Sequence, residues 1–181
     1  VGTSFYINQK HKEASSYLEK SLKLAESLSV NVKSKYQKRI IWKLGMAYSK
    51  SGRRQEAILL IKELINMVEQ EYKRDYQKQR PFYNIDSYRI QYYSFMISNL
   101  DLLTPKEEKD YWKRILLIGK KLTNDFDKYN YYLCANNYYT NSRTQKDLSK
   151  AIAANDTLIK IAKILAPQNL PGLLNTVSLL Y

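Results

Sequence analysis

Two glycines in one amphipathic segment constrain the fold of this chain more than any other feature. The segment IWKLGMAYSKSGRRQEAILLIKEL covers residues 41–64. A glycine inside a helix costs about 1 kcal/mol relative to alanine, so Gly45 predicts a point where a second helix approaches closely. Gly52 fits the left-handed position just beyond a helix C-terminus. The segment therefore predicts a helix, a tight turn and a second helix packed back on the first.

The same segment resembles the tetratricopeptide repeat (TPR). That family carries a Leu-Gly pair and a Tyr on its first helix, then a turn Gly, then a small residue and further packing positions on its second helix. The matching residues are Leu44, Gly45, Tyr48, Gly52, Ala57, Ile61 and Leu64. The resemblance implies an all-α fold of antiparallel helix pairs, stacked as a right-handed TPR-like superhelix.

Small residues that could anchor further repeats recur along the chain. These anchors are Gly2, Gly45, Ser94 and Ala135. Their spacings of 43, 49 and 41 residues exceed the family's period of 34, so the other units are divergent. We expect one helical repeat domain over residues 1–181, with about four to five units. Because the chain starts within a repeat helix and ends as another apolar helix begins, we expect a fragment of a longer protein.

Turn and cap residues agree with paired helices. Only five Gly and four Pro occur in 181 residues, which favours long helices. Thr104, Pro105 and Glu107 predict a capping box with a Pro at the first helical position. Pro81 and Pro167 each follow a predicted helical run, as expected of a residue that cannot continue a helix.

The chain is strongly basic, with thirty Lys and Arg against seventeen Asp and Glu and a net charge of +13. Residues 33–80 alone hold thirteen basic and five acidic residues. The basic residues are scattered at helix-surface spacing, without a helix-turn-helix, an RNA-binding aromatic motif or zinc ligands. A solvated face is therefore the first interpretation of these charges, an acidic protein or peptide partner the second and nucleic acid the last.

No apolar run approaches the roughly 20 residues that cross a bilayer, so no membrane insertion is predicted. Self-association stays open.

The residues that usually carry catalysis are almost absent. The single histidine, His11, falls in the polar stretch QKHKE and is predicted to be a solvated turn residue. The single cysteine, Cys134, falls on an apolar helix stripe and is predicted to be a small buried hydrophobe. There is no Gly-rich phosphate loop, metal-spaced His/Cys set or nucleophile elbow in the sequence. We predict that these residues form no enzyme and hold no cofactor or metal.

The seventeen tyrosines are the most unusual part of the composition. They cluster in YNIDSYRIQYY and KYNYYLCANNYY, two predicted first helices. In the TPR family the first helices line a concave peptide-binding surface, and counting from the anchors predicts which side chains face it. This predicted groove comprises Arg39, Trp42, Met46, Ser49, Lys50, Gln91, Phe95, Ser98, Asn99, Tyr129, Tyr132, Asn136 and Tyr139. Aromatic rings, amides and cations are typical of binding hot spots. The alternative, that these tyrosines pack between helices, stays open.

One specialised groove is not expected. The chaperone-tail clamp of some TPR proteins requires an Asn just after the anchor glycine. Thr3 and Met46 occupy that position in the first two units.

The ending AIAANDTLIKIAKIL follows divergent repeats rich in Tyr, Asn and Lys, a texture similar to the repeat regions of Bacteroides-type sensor histidine kinases and related membrane-anchored regulators. This similarity implies a periplasmic sensory or scaffolding domain that binds a protein or peptide. One alternative is a cytoplasmic helical-repeat receptor for a peptide pheromone, and another is a purely structural scaffold. A signal peptide or a helix-turn-helix upstream of Val1 would distinguish the first two.

Overall fold

The computed structural model describes residues 10–27, 30–77, 85–142, 146–165 and 167–169. These residues form seven α-helices and two short 3₁₀ helices, with no strand among them, so the all-α prediction is confirmed. The α-helices are α1 His11–Glu26, α2 Val30–Lys50, α3 Arg54–Gln77, α4 Ile85–Ile97, α5 Pro105–Gly119, α6 Asp125–Asn141 and α7 Leu148–Leu165. The 3₁₀ helices are Leu100–Leu102 and Pro167–Asn169.

The chain divides into two compact units, Val1–Pro81 and Phe82–Tyr181. Unit 1 contains α1 to α3 and unit 2 contains α4 to α7. Several sequence predictions lie outside the described residues, namely the anchor Gly2, the helix stop at Pro81 and the apolar helix expected after residue 169. Within the described ranges, no helix has both the length and the apolar character needed to cross a bilayer.

In unit 1, α2 packs against both α1 and α3. The close approach predicted at Gly45 is confirmed, since a methyl group there would lie 2.8 Å from Ile61 Cδ1 of α3. Apolar side chains from all three helices fill the core of the unit. They include Ala14, Leu18, Ile41, Leu44, Ala47, Ala57, Ile61, Leu64 and Val68.

The turn between α2 and α3 is a Schellman motif. Gly52 has a φ of 87°, the left-handed conformation that its position predicts. The Arg53 N–H donates to the Tyr48 carbonyl at 2.8 Å, and the Gly52 N–H donates to the Ser49 carbonyl at 3.4 Å. The Arg53 guanidinium lies 3.7 Å from the centre of the Tyr48 ring. The end of one helix is therefore joined directly to the start of the next.

In unit 2, α6 is central and packs against α4, α5 and α7. Ser87 Oγ donates to Asp127 Oδ2 at 2.6 Å, and Asn137 Nδ2 donates to the Ile97 carbonyl at 3.4 Å. Ile97 lies ten residues after Ser87 on α4, and Asn137 lies ten residues after Asp127 on α6. The two helices therefore advance in the same direction and run parallel. The capping box at Thr104 is confirmed, because its hydroxyl accepts from the Glu107 N–H and the Glu107 carboxylate accepts from the Thr104 N–H.

Aromatic rings form much of the α5–α6 interface. The Trp112 ring stacks on the Tyr138 ring with centroids 4.3 Å apart and meets Tyr139 edge-on at 5.2 Å. Gly119, the last residue of α5, lies against the Tyr131 ring, where an added methyl group would be 2.7 Å from Cδ2. Burial of these large rings gives α5 and α6 a closely fitted contact.

The prediction that His11 lies in a turn is wrong. His11 is the first residue of α1, and its side chain is partly buried. The polar composition of QKHKE suggested a turn, but the backbone is already helical there because Ala14 and Leu18 pack into the core from the same helix.

Candidate interaction surfaces

The predicted groove residues of α2 share one face of that helix. Arg39 and Lys50 are exposed, and Trp42 and Met46 are partly exposed. Their spacing of three and four residues places them on one stripe, which Lys43 and the half-exposed Tyr36 extend. We call these six residues the α2 stripe. The opposite side of α2 is buried against α1 and α3.

The predicted groove residues of α4 divide between surface and interior. Gln91 and Ser98 are exposed, whereas Phe95 is largely buried, with 9% of its surface accessible. Asn99 is buried, and its side-chain amide donates to the Phe95 carbonyl at 2.8 Å. Of the predicted groove residues of α4, Gln91 and Ser98 therefore present polar atoms to the open side.

The predicted groove residues of α6 face its neighbouring helices. Tyr129 and Tyr132 pack against the Leu158 and Ala162 cluster of α7. Asn136 is buried, and its amide donates to the Ala151 carbonyl of α7 at 3.2 Å. Tyr139 packs on Trp112 of α5. These four side chains serve mainly as packing groups inside unit 2.

The exposed face of α6 is one residue further along the helix. It carries Phe126, Leu133 and Asn141 as exposed residues and Asn130 and Asn137 as partly exposed ones. A shift of one residue turns a helix by about 100°, enough to exchange a buried face for an open one. In α2 the anchor Gly45 faces the second helix of its pair, and in α6 that position belongs to Asn136, which bonds to α7. The sequence prediction for α6 takes Ala135 as the anchor, so each predicted groove residue is one position too early.

The open faces of α4 and α6 meet. Asn137 Nδ2 lies 3.4 Å from Ser98 Oγ as well as from the Ile97 carbonyl, so the two helices contribute to a single surface. Asn141 donates to Asn137 Oδ1 at 2.7 Å and to the Asn137 carbonyl at 3.2 Å. We call this surface the amide face, and it consists of Gln91, Ser98, Asn130, Leu133, Asn137 and Asn141. The sequence feature that indicates this face is the spacing of Asn130, Asn137 and Asn141, which are seven and four residues apart and so lie on one side of a helix.

A polar cluster joins α1, α2 and the start of α3. Glu19 Oε1 accepts from the Tyr48 hydroxyl at 2.7 Å and from Arg53 Nη1 at 3.0 Å, while Arg53 Nε donates to Glu56 at 2.7 Å. Burial and the bond to Glu19 raise the pKa of Tyr48 to about 12. The bond to Arg53 lowers the pKa of Glu56. Because its guanidinium is matched by two carboxylates, Arg53 is a structural link here.

Two further observations concern reactive groups. Cys134 is buried as predicted, and burial raises the pKa of its thiol to about 12, with Ser94 of α4 beside it partly opposing that rise. The thiol is therefore protonated at neutral pH and has the low reactivity of a packing group. In the part of the chain that the structure describes, no three His, Cys, Asp or Glu side chains form a group that could hold a metal ion.

Comparisons of this chain with protein-family models, with curated proteins and with solved structures find no match. The TPR resemblance therefore depends on the residues of the segment 41–64 and on the helix pair that they form.

Proposed function

We propose that this chain is a non-enzymatic, TPR-like helical interaction domain that binds an extended segment of a protein or peptide. The observation that carries the proposal is the amide face, where two parallel helices present four side-chain amides, one hydroxyl and the exposed Leu133. Leu133 is the apolar member of this face, with 44% of its surface accessible. An exposed leucine among amides suits a ligand that offers both backbone polar groups and apolar side chains.

The amides of this face are held in place before any ligand arrives. Asn130 donates to the Phe126 carbonyl at 3.0 Å, and Asn141 is fixed by its two bonds to Asn137. Each amide keeps donor or acceptor capacity beyond these bonds, since a side-chain amide has two N–H groups and one carbonyl with two lone pairs. Groups that are already ordered lose less conformational entropy on binding. The arrangement thus favours recognition of a peptide backbone.

The local structure supports the TPR element of the proposal. Gly45 forms the close helix contact and Gly52 forms the turn, both at the positions of the family motif. The parallel course of α4 and α6 is the relation expected between first helices of successive pairs. The same proposal extends to two wider statements. One is that the helix pairs stack as a right-handed superhelix, and the other is that the domain has a sensory or scaffolding role in a larger bacterial regulator. Sequencing the flanking chain tests that regulatory context.

The test uses the whole chain and a displayed library of random peptides of about ten residues, the length of an ordinary linear binding motif. We expect enriched peptides whose affinity falls by about 30-fold, the hot-spot scale, in Leu133→Asp. The matched control is Leu117→Asp, which changes a leucine of α5 that is 56% exposed and lies outside the amide face. Affinity within about two-fold of the parent is expected for this control.

Three outcomes would contradict the proposal. Equal losses in both variants would mean that the added charge acts nonspecifically. Enriched peptides that bind Leu133→Asp as well as the parent chain would place binding elsewhere. No enrichment at all would favour a structural scaffold. Circular dichroism of both variants shows whether the helices are intact, so that a loss of affinity can be assigned to the surface.

A further inference from the structure

The α2 stripe of unit 1 is a second open surface, with a chemistry unlike that of the amide face. Three of its six residues, Arg39, Lys43 and Lys50, are cations, and none is acidic. The other three are Tyr36, Trp42 and Met46. The stripe thus combines positive charge with aromatic and thioether surface along one side of a helix.

The cations of the stripe form no ion pair with any described carboxylate. Some other cations of unit 1 are matched within the fold. Lys38, on the side of α2 that faces α3, pairs with Glu71, and Arg53 pairs with Glu19 and Glu56. The uncompensated charge of unit 1 therefore includes a cluster on the open side of α2. Such a surface raises the local concentration of an anionic partner.

We propose that the α2 stripe is a docking surface for an acidic peptide segment, in which carboxylates alternate with apolar side chains. Charge complementarity selects the acidic groups, and Trp42 and Met46 offer the apolar contacts that a carboxylate-only ligand would leave unused. The stripe from Tyr36 to Lys50 is about 21 Å long at 1.5 Å per residue, which about six or seven extended residues would span. This inference stands on unit 1 alone and is independent of the amide face.

A peptide suits this surface better than a nucleic acid does. Three cations could neutralise about three phosphates, whereas nucleic-acid proteins commonly make about six to ten phosphate contacts. Met46 separates Lys50 from Lys43 along the helix, so the three charges do not form the continuous track that a phosphate backbone follows.

The experiment measures the binding of the whole chain to synthetic peptides of about eight residues, a length matched to the stripe. The peptides alternate Glu or Asp with Leu or Phe in varied order. They are acetylated and amidated, so that only side chains carry charge. A parallel set has Gln and Asn in place of Glu and Asp. We expect members of the acidic set to bind, their neutral counterparts to bind at least about ten-fold more weakly, and affinity to fall as salt is raised.

Variants then locate the binding. We expect Lys43→Glu to weaken acidic-peptide binding by about five-fold. We expect the double variant, Arg39→Glu with Lys43→Glu, to weaken it by more than about twenty-fold. Lys23→Glu makes the same charge change at an exposed residue of α1 outside the stripe, and we expect less than about a two-fold effect. Leu133→Asp is expected to leave acidic-peptide binding unchanged, which separates this inference from the proposed function.

Several results would overturn the proposal. One is that no acidic peptide binds. Another is that Lys23→Glu lowers the affinity as much as Lys43→Glu does, which would show that binding follows the net charge of the chain and not the stripe. Tighter binding of a single-stranded RNA oligonucleotide, or of vesicles containing an anionic lipid, with the same sensitivity to Lys43→Glu would assign the stripe to a different partner class.

Discussion

At the scale of single residues, glycine positions determine how closely the helices approach. Gly45 lets α2 lie against Ile61 of α3, and Gly119 lets α5 lie against the Tyr131 ring of α6. The two sites differ in what an added side chain would meet. At Gly45 the neighbour is the flexible end of an isoleucine, and at Gly119 it is a rigid ring.

Gly45→Leu is expected to destabilise the chain by roughly 1–3 kcal/mol or more, because the new side chain overpacks a closed contact. Lys50→Leu, on the exposed stripe of the same helix, is expected to change stability by less than about 0.5 kcal/mol. Urea unfolding followed by circular dichroism measures both. Equal effects would show that Gly45 is not at a helix–helix contact.

A double-mutant cycle isolates that contact. Gly45→Ala adds one methyl group 2.8 Å from Ile61 Cδ1, and Ile61→Val removes that Cδ1 atom. Alanine also gains about 1 kcal/mol of helix propensity over glycine. We therefore expect Gly45→Ala to be more favourable in the Ile61→Val background than in the parent, with a coupling energy of at least about 0.5 kcal/mol. Simple additivity would argue against the contact.

Gly119→Ala should be more destabilising than Gly45→Ala. The new methyl group would overlap the Tyr131 ring, which stacks with Trp112 at a centroid distance of 6.5 Å and cannot move without disturbing it. We expect a cost of about 1–3 kcal/mol in urea unfolding. In a Tyr131→Leu background, where the ring is absent, most of that cost should disappear. If it persists there, the close contact is not its cause.

At the scale of helices, the junction of α1, α2 and α3 shows how a turn can also be a tertiary link. Arg53 ends the Schellman motif, covers the Tyr48 ring and pairs with Glu19 of α1. Tyr48 itself is buried and donates to the same carboxylate. One turn thus connects three helices through a shared acidic side chain.

This junction should make stability depend on alkaline pH. The pKa of Tyr48 is raised from about 10 when unfolded to about 12 in the fold, so the folded state keeps a proton that the unfolded state loses. The resulting stabilisation is complete below about pH 10 and is lost as the pH rises through about 12. Urea unfolding at about pH 9 and about pH 11 should therefore show a smaller stability advantage of the parent over Tyr48→Phe at the higher pH. A constant advantage would exclude this linkage.

At the scale of the whole molecule, the net charge of +13 is the dominant electrostatic feature. Most of the ion pairs found among the described residues join side chains three positions apart on one helix. Most of these pairs are solvent-exposed, and exposed pairs contribute little to stability. We therefore expect repulsion among the excess cations to outweigh these local attractions. The same excess charge produces a positive potential around the chain.

Raising the salt concentration should consequently stabilise the chain. Between about 10 mM and about 150 mM NaCl the screening length falls from about 30 Å to about 8 Å, which weakens repulsion over the whole surface. We expect the melting temperature from far-ultraviolet circular dichroism to rise over this range. The rise should be independent of protein concentration, a control that excludes salt-induced self-association. A fall would mean that the local ion pairs contribute more than the repulsion does.

The sequence alone determined the features that short-range forces decide. The apolar periodicity predicted helices, Gly52 predicted the left-handed turn, and Thr104 with Glu107 predicted a capping box, because each depends on residues within one or two turns. Gly45 predicted a close helix contact because the local penalty of an interior glycine needs a tertiary reason. For α2, counting from Gly45 gives residues that lie on an accessible side of the helix, although their role in binding stays a prediction.

Only the tertiary structure decided which face of α6 is open. A count that starts one residue early turns the helix by about 100°, and no local property of Ala135 or Asn136 indicates which of them faces the partner helix. That choice depends on α7 supplying the Ala151 carbonyl and on α5 supplying Trp112. The tyrosine-rich segments look alike in sequence, but the burial of each tyrosine depends on how other helices pack against its own helix.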